Sequence, residues 1–259
     1  MIRFRDYRVF FVAFSLTALI VGVKWLLHVF NIEPIEQTSL HNAMISSVIF
    51  VIGFVLSATI NDYKESERIP AEFASTVENM YEDAKEMHKL YPNFDLDLFR
   101  DDLIDVLASF RDGTRVRRKG ARRGIAELNV TYGEMEKAGV PANYIVKLKQ
   151  QSGILLRCMY RVNYIQRIKV IPSAFILVRS IVALALGVLV LTSIDPFYGG
   201  LALTATISFI MIYILALISV ISVPFHAKGK TRDDVSLFLI SETKRYMKSE
   251  AKLSKRADT

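Results

Sequence analysis

Residues 43–60 carry no charged side chain, which gives 18 consecutive uncharged positions. That is about the minimum an α-helix needs to cross the ~30 Å hydrocarbon core of a bilayer. Residues 61–69 are rich in charge but contain no Gly or Pro before Pro70. The sequence therefore predicts one helix that leaves the membrane and continues into water. The span is not built only to face lipid, because Ser46, Ser47, Ser57 and Thr59 dot it. Phe50 and Phe54 lie four apart, which puts them on one helical face.

Composition fits a membrane protein with a large water-exposed part. Hydrophobic residues make up 52% of the 259-residue chain, yet 23% of it is charged. Those two numbers conflict for a single soluble globule. The single cysteine, Cys158, excludes an internal disulfide and a cysteine-based zinc site. His28, His41, His88 and His226 are scattered without ligand spacing. There is no glycine-rich phosphate loop, nucleophile elbow or metal-spaced cluster, so the residues give no reason to expect an enzyme or a cofactor.

The chain divides into four parts. Residues 1–60 hold a basic tail and two spans, the first at 9–30; no small-residue cleavage site follows it, as a signal peptide would require. Residues 61–169 form a polar section with 19 Lys and Arg against 17 Asp and Glu. Within it, 69–90 is amphipathic, with Phe73, Val77, Met80, Tyr81, Ala84 and Met87 at helical spacing. A helix at 95–111 follows, with Asp95 as N-cap and Leu96, Phe99, Leu103, Val106, Leu107 and Phe110 as its stripe. A turn at 139–141 precedes a long helix at 142–169. Residues 170–225 hold the third and fourth spans, the latter uncharged from 196 to 225. Residues 226–259 hold an amphipathic helix at 233–253, with Val235, Leu239, Tyr246 and Leu253 among its apolar positions, and a tail.

Lys and Arg crowd the N-terminus, the central section and the C-terminal tail, while the connections 31–42 and 193–200 have none. The positive-inside rule places both termini and the central section in the cytoplasm, with four spans and short outer loops. A multi-pass protein of the plasma (inner) membrane is the expectation.

Charges in or near the spans have two readings each. Arg179 lies inside the third span, where a charge costs ~2.5–3.5 kcal/mol on insertion scales. It either marks an anion-attracting site or snorkels. Lys24 lies near the far end of the first span beside Trp25, where its long side chain would snorkel to the headgroups; anion attraction is the alternative. The basic segment 111–124 holds seven positive residues and one acid. It reads as an anion vestibule, as a contact with acidic lipid, or as a solvated loop. Nucleic acid is not expected there, because aromatic residues are not interleaved. Phe50 and Phe54 are either packing residues or a constriction. In the second case phenyl edges, which carry partial positive charge, would be ringed by several copies of the helix around an axis.

Three segments resemble the bestrophin family of anion channels. Phe50-Val-Ile-Gly-Phe54-Val is similar to that family's neck, Phe-Val-Leu-Gly-Phe-Tyr. Ile171-Pro-Ser-Ala-Phe-Ile-Leu-Val-Arg179 resembles its Pro-x-x-Phe…Arg start of the third span. Pro224-Phe225 followed by Asp233-Asp234 resembles the run after the fourth span. The resemblance implies an all-α fold with four transmembrane helices and a helical cytoplasmic domain. It implies a homopentamer around one pore that conducts anions such as chloride, with Phe50 and Phe54 as neck rings. Gly53 lies between those rings and would relieve crowding beside them. Ser46 stands where the family has a third apolar neck residue. The family's calcium-binding acidic cluster is reduced here to Asp233 and Asp234. The expected partners are further copies of this chain, inorganic anions and membrane lipid. The other reading is a membrane-anchored scaffold or sensor whose cytoplasmic helices bind a partner.

Overall fold

In a computed structural model the backbone is described for residues 8–113, 118–167, 172–225 and 234–257, and side chains for 9–110, 124–166, 173–225 and 234–251. Among the described residues eight helices run in the order α1 (Arg8–Val29), α2 (Ser39–Leu90), α3 (Leu96–Gly113), α4 (Arg118–Lys137), α5 (Ala142–Arg167), α6 (Pro172–Leu191), α7 (Phe197–Ile221) and α8 (Phe238–Ala257). Two two-residue strands, β1 (Ile35–Glu36) and β2 (Thr192–Ser193), pair in parallel. The described residues form two compact units, one of 8–63 and 172–223, the other of the remainder.

The first unit holds four stretches long and apolar enough to cross a membrane: Val9–Val29, a window of α2, Ser173–Leu191 and Phe197–Ile221. This agrees with the spans expected from charge-free length, and the fold is that of an all-α membrane protein. Its core joins Val48 and Ile52 of α2 to Val178, Val182 and Ala185 of α6 and to Met211 and Ile218 of α7. The helix ends follow local chemistry. At the end of α1, Asn31 takes φ 55°. The Ile32 and Asn31 amides bond back to the Leu27 and His28 carbonyls at 2.9 and 3.0 Å, a Schellman stop. At the start of α2 the Thr38 amide donates to His41 Nδ1 at 3.1 Å, and Thr38 Oγ1 lies 2.8 Å from the same nitrogen. Gly200, in the first turn of α7, has no room for a side chain, because a Cβ there would stand 2.6 Å from that of Ile194. The β1–β2 ladder, which ties the connection after α1 to the one after α6, was not expected from the sequence.

The second unit packs the rest of α2 with α3, α4, α5 and α8. Phe73, Val77, Met80, Tyr81, Ala84 and Met87 are all buried, as their spacing predicts. α2 passes through Pro70 without ending. An interior proline lacks the amide that would bond the carbonyl four residues back and costs ~3 kcal/mol. Burial of Ile69, Phe73 and Val77 on either side offsets this. Asp95 caps α3, its Oδ1 accepting the Leu98 amide at 2.9 Å. Gly139, at φ +88°, stops α4.

Two readings of this half are corrected. The segment 111–124 is not one loop, because α3 runs to Gly113 and α4 starts at Arg118; its residues 114–117 and the side chains of 111–123 lie outside the described residues. The last helix starts at Phe238, later than expected, and buries Ile240, Thr243 and Met247 rather than the stripe through Leu239 and Tyr246. Tyr246 sits at the edge instead and donates to Glu82 Oε1 at 2.7 Å. Lys85 joins them, 2.7 Å from Glu82, and its pKa is raised because these hydrogen bonds outweigh burial, which acts in the opposite direction.

Cys158 is buried on α5. Burial, followed by the Glu72 charge, pushes its thiol up to about 11. A thiol held so far above neutrality forms little thiolate. Maleimide at neutral pH is expected to leave Cys158 of the folded protein unlabelled and to label it fully in detergent-denatured protein, as read by intact mass.

Candidate functional site

Within the first unit, α2 is buried on one side only. Val48, Ile52 and Thr59 are buried, whereas Ser46, Ser47, Ile49, Phe50, Gly53, Phe54, Ser57 and Ala58 are exposed. The exposed positions recur every three to four residues, so they form one stripe along the helix. Phe50 and Phe54 are 75% and 70% exposed, and the standard rise separates them by ~6 Å along the axis. The stripe is uncharged. Ser47 Oγ donates to the Ala43 carbonyl at 2.8 Å.

The other exposed faces of this unit have a different composition. α1 exposes Phe10, Phe14, Leu19 and Leu26, and α6 exposes Ile176, Leu177 and Leu184. Large apolar side chains of that kind suit lipid tails. The α2 stripe is richer in small residues, with serines, glycine and alanine around Ile49 and two protruding phenyl groups. A Cβ at Gly53 would meet nothing within 4 Å, as at Gly22 of α1 and Gly187 of α6. No neighbour among the described residues of this chain needs the glycine.

Lys24 is not where local sequence placed it. It is 1% exposed. Its Nζ donates to the Thr192 carbonyl at 2.6 Å and the Leu189 carbonyl at 3.3 Å, and lies 3.4 Å from Glu33 Oε1. Lys24 thus closes the C-terminal end of α6, where carbonyls lack intrahelical donors, rather than snorkelling beside Trp25. An ammonium so engaged presents no free charge to a passing anion. Glu33 completes a cluster with His28, whose Nδ1 lies 2.9 Å from Glu33 Oε2 and whose ring stacks on Phe197 with centroids 3.7 Å apart. Burial acts to raise the Glu33 pKa, but the His28 hydrogen bond and the Lys24 charge outweigh it, and it lies below the ordinary value. The sequence signal for this cluster was an acid-only connection nine residues after a lysine. It went unread because the carbonyl partners are more than 160 positions away.

Arg179 is exposed on α6, and its Nη2 donates to Ser219 Oγ of α7 at 3.5 Å. Asp233 lies outside the described residues and Asp234 is half-buried. Among the described residues no group of three or more His, Cys, Asp or Glu could hold a metal ion.

No family model matches the sequence, and no curated protein sequence matches it. Solved structures do match in shape. A variant of a bacterial bestrophin homologue from Klebsiella pneumoniae superposes with a TM-score of 0.77 at 12% identity, covering 93% of this chain and 98% of that one. A second variant of that homologue gives 0.75 at 12% identity, with 93% and 97% covered. A crystal structure described as a membrane protein gives 0.77 at 11% identity, with 93% and 97% covered. Nearly the whole length of each chain is aligned, and this chain has a bestrophin-like fold.

Proposed function

We propose that several copies of this chain, five by the resemblance, assemble around an axis and conduct anions such as chloride through a neck lined by Ser46, Phe50, Gly53 and Phe54 of each copy. The observation that carries this reading is the α2 stripe, exposed in one chain and unlike the lipid-suited faces of α1 and α6. Copies packed around that stripe would stack two phenyl rings per subunit ~6 Å apart along the axis. The ring edges carry partial positive charge. A dehydrating anion meets them at lower cost than a cation does, and an apolar constriction can gate by dewetting. Gly53 then finds its use between copies. The charge asymmetry of the loops puts both termini and residues 61–169 on the cytoplasmic side of the plasma membrane. The chain is a channel in this reading, not an enzyme.

The test is the reversal potential of purified protein in a planar bilayer under a chloride gradient. A potential near the chloride equilibrium value is expected. A cation-selective current, or no current from a verified oligomer, contradicts the reading, and a stable monomer leaves no axis and favours the membrane-anchored scaffold.

A further inference from the structure

Among the described residues Arg179 makes no ion pair. Stretches 7–32, 37–61, 172–194 and 196–232, which contain the four spans, hold no Asp or Glu. Its one hydrogen bond among the described residues is the long one to Ser219. That leaves donors of a group with five N–H bonds open to an oxyanion.

The depth of the guanidinium identifies where that oxyanion comes from. The Arg179 backbone lies ~9 Å along the helix from Ser173, the first residue of its span. Ser219 is two residues from Ile221, the last of α7. With 25 residues, α7 is ~37 Å long and exceeds the hydrocarbon core, so its ends reach the headgroup zone. The bond to Ser219 therefore draws the guanidinium toward that zone, in the manner of a snorkelling side chain. Ser219 Oγ gives its own proton to the Leu215 carbonyl at 2.9 Å, so it accepts from Arg179 and holds the guanidinium in place. One turn before and just over one turn after Arg179, Ile176 and Leu184 are each 66% exposed, a surface that suits acyl chains. The flanking sequence is net positive, with Arg167 and Lys169 before α6 and Lys228, Lys230 and Arg232 ahead of Asp233 and Asp234 after α7, which favours anionic headgroups.

We propose that Arg179, positioned by Ser219, binds the phosphate of an anionic phospholipid in the leaflet that surrounds the start of α6 and the end of α7. Guanidinium and phosphate match in charge and in paired hydrogen-bond geometry. The acyl chains would lie against Ile176 and Leu184.

Native mass spectrometry of the full-length protein in detergent, titrated with phosphatidylglycerol, tests this. Wild type is expected to retain lipid adducts. Arg179→Gln is expected to weaken them about tenfold, and Arg179→Lys is expected to fall between, because an ammonium keeps charge but loses the fork. Inorganic phosphate in excess should not displace the lipid. Melting in lipid-free detergent monitors folding; should Arg179→Gln not fold, Ser219→Ala is expected to weaken the adducts by a smaller factor. Unchanged phosphatidylglycerol binding by a folded variant overturns the proposal. So does displacement by inorganic phosphate, which would make the ligand a free anion. A shifted reversal potential with lipid binding intact would instead assign the guanidinium to the ion path.

Discussion

Replacing both Phe50 and Phe54 by Ala is expected to raise chloride current severalfold and to weaken discrimination among anions, with the oligomer intact. Neither ring packs within its own chain, since both are at least 70% exposed, so truncation leaves the subunit core of Val48, Ile52 and their partners untouched. What changes in the proposed assembly is the neck. Two layers of phenyl groups become methyl groups, the constriction widens, and the barrier to wetting falls. Each single substitution is expected to give a smaller effect, because one ring of edges remains. Bilayer recording, with mass photometry of the same preparation, reads both parts. Unchanged current and selectivity in the double variant would mean that these rings face a neighbouring helix and not an axis.

Lys24→Met is expected to lower stability by ~3–5 kcal/mol, the usual cost of removing one member of a buried charge pair. That corresponds to a melting shift of roughly 10 °C for a chain of this size. The substitution strands the Thr192 and Leu189 carbonyls and leaves the Glu33 carboxylate, 8% exposed, with only His28. Lys24→Met with Glu33→Gln is expected to lose less than the sum of the two single variants, since the pair acts as a unit. Acid supplies an independent reading. The Glu33 pKa is depressed in the folded protein, so the folded state binds its proton less readily than the unfolded state does. The stability it contributes is therefore present above the ordinary carboxylate value and is lost as pH falls through the folded one. Wild type should weaken below pH 4.5 by a component that Glu33→Gln lacks. Equal acid sensitivity, or a melting shift of under ~2 °C in Lys24→Met, would remove Lys24 from its place at the end of α6.

These two sites also mark what was legible in the sequence. Uncharged length located all four spans to within a few residues, because a bilayer sets that length whatever the tertiary structure is. Helical spacing found the buried face of α2 from Phe73 to Met87, where each apolar residue packs inward. The phenyl pair and its glycine were legible as a motif, although only the exposure of the stripe separates them from ordinary packing residues. Lys24 was misread because lysine beside tryptophan at a helix end is, locally, an interfacial anchor; its partners arrive from the end of α6. Pro70 gave no local sign of being tolerated, since burial on both sides carries it. The two-residue ladder of Ile35 and Glu36 with Thr192 and Ser193 is too short to leave a period. In α8 the expected stripe fell beside the buried one because Tyr246, apolar by composition, spends its hydroxyl on Glu82.

The central claim is that the α2 stripe faces water on an axis between copies, and thiol accessibility tests it most directly. In a Cys158→Ser background, single cysteines at Ser46, Phe54 and Ser57 are compared with cysteines at Leu19 and Ile176, which are exposed on the apolar faces of α1 and α6. A charged, membrane-impermeant thiol reagent is applied during bilayer recording. Rapid block at the three stripe positions and none at the two apolar ones is the predicted result. Current unaffected at Ser46, Phe54 and Ser57, with the protein shown to be oligomeric, would contradict it.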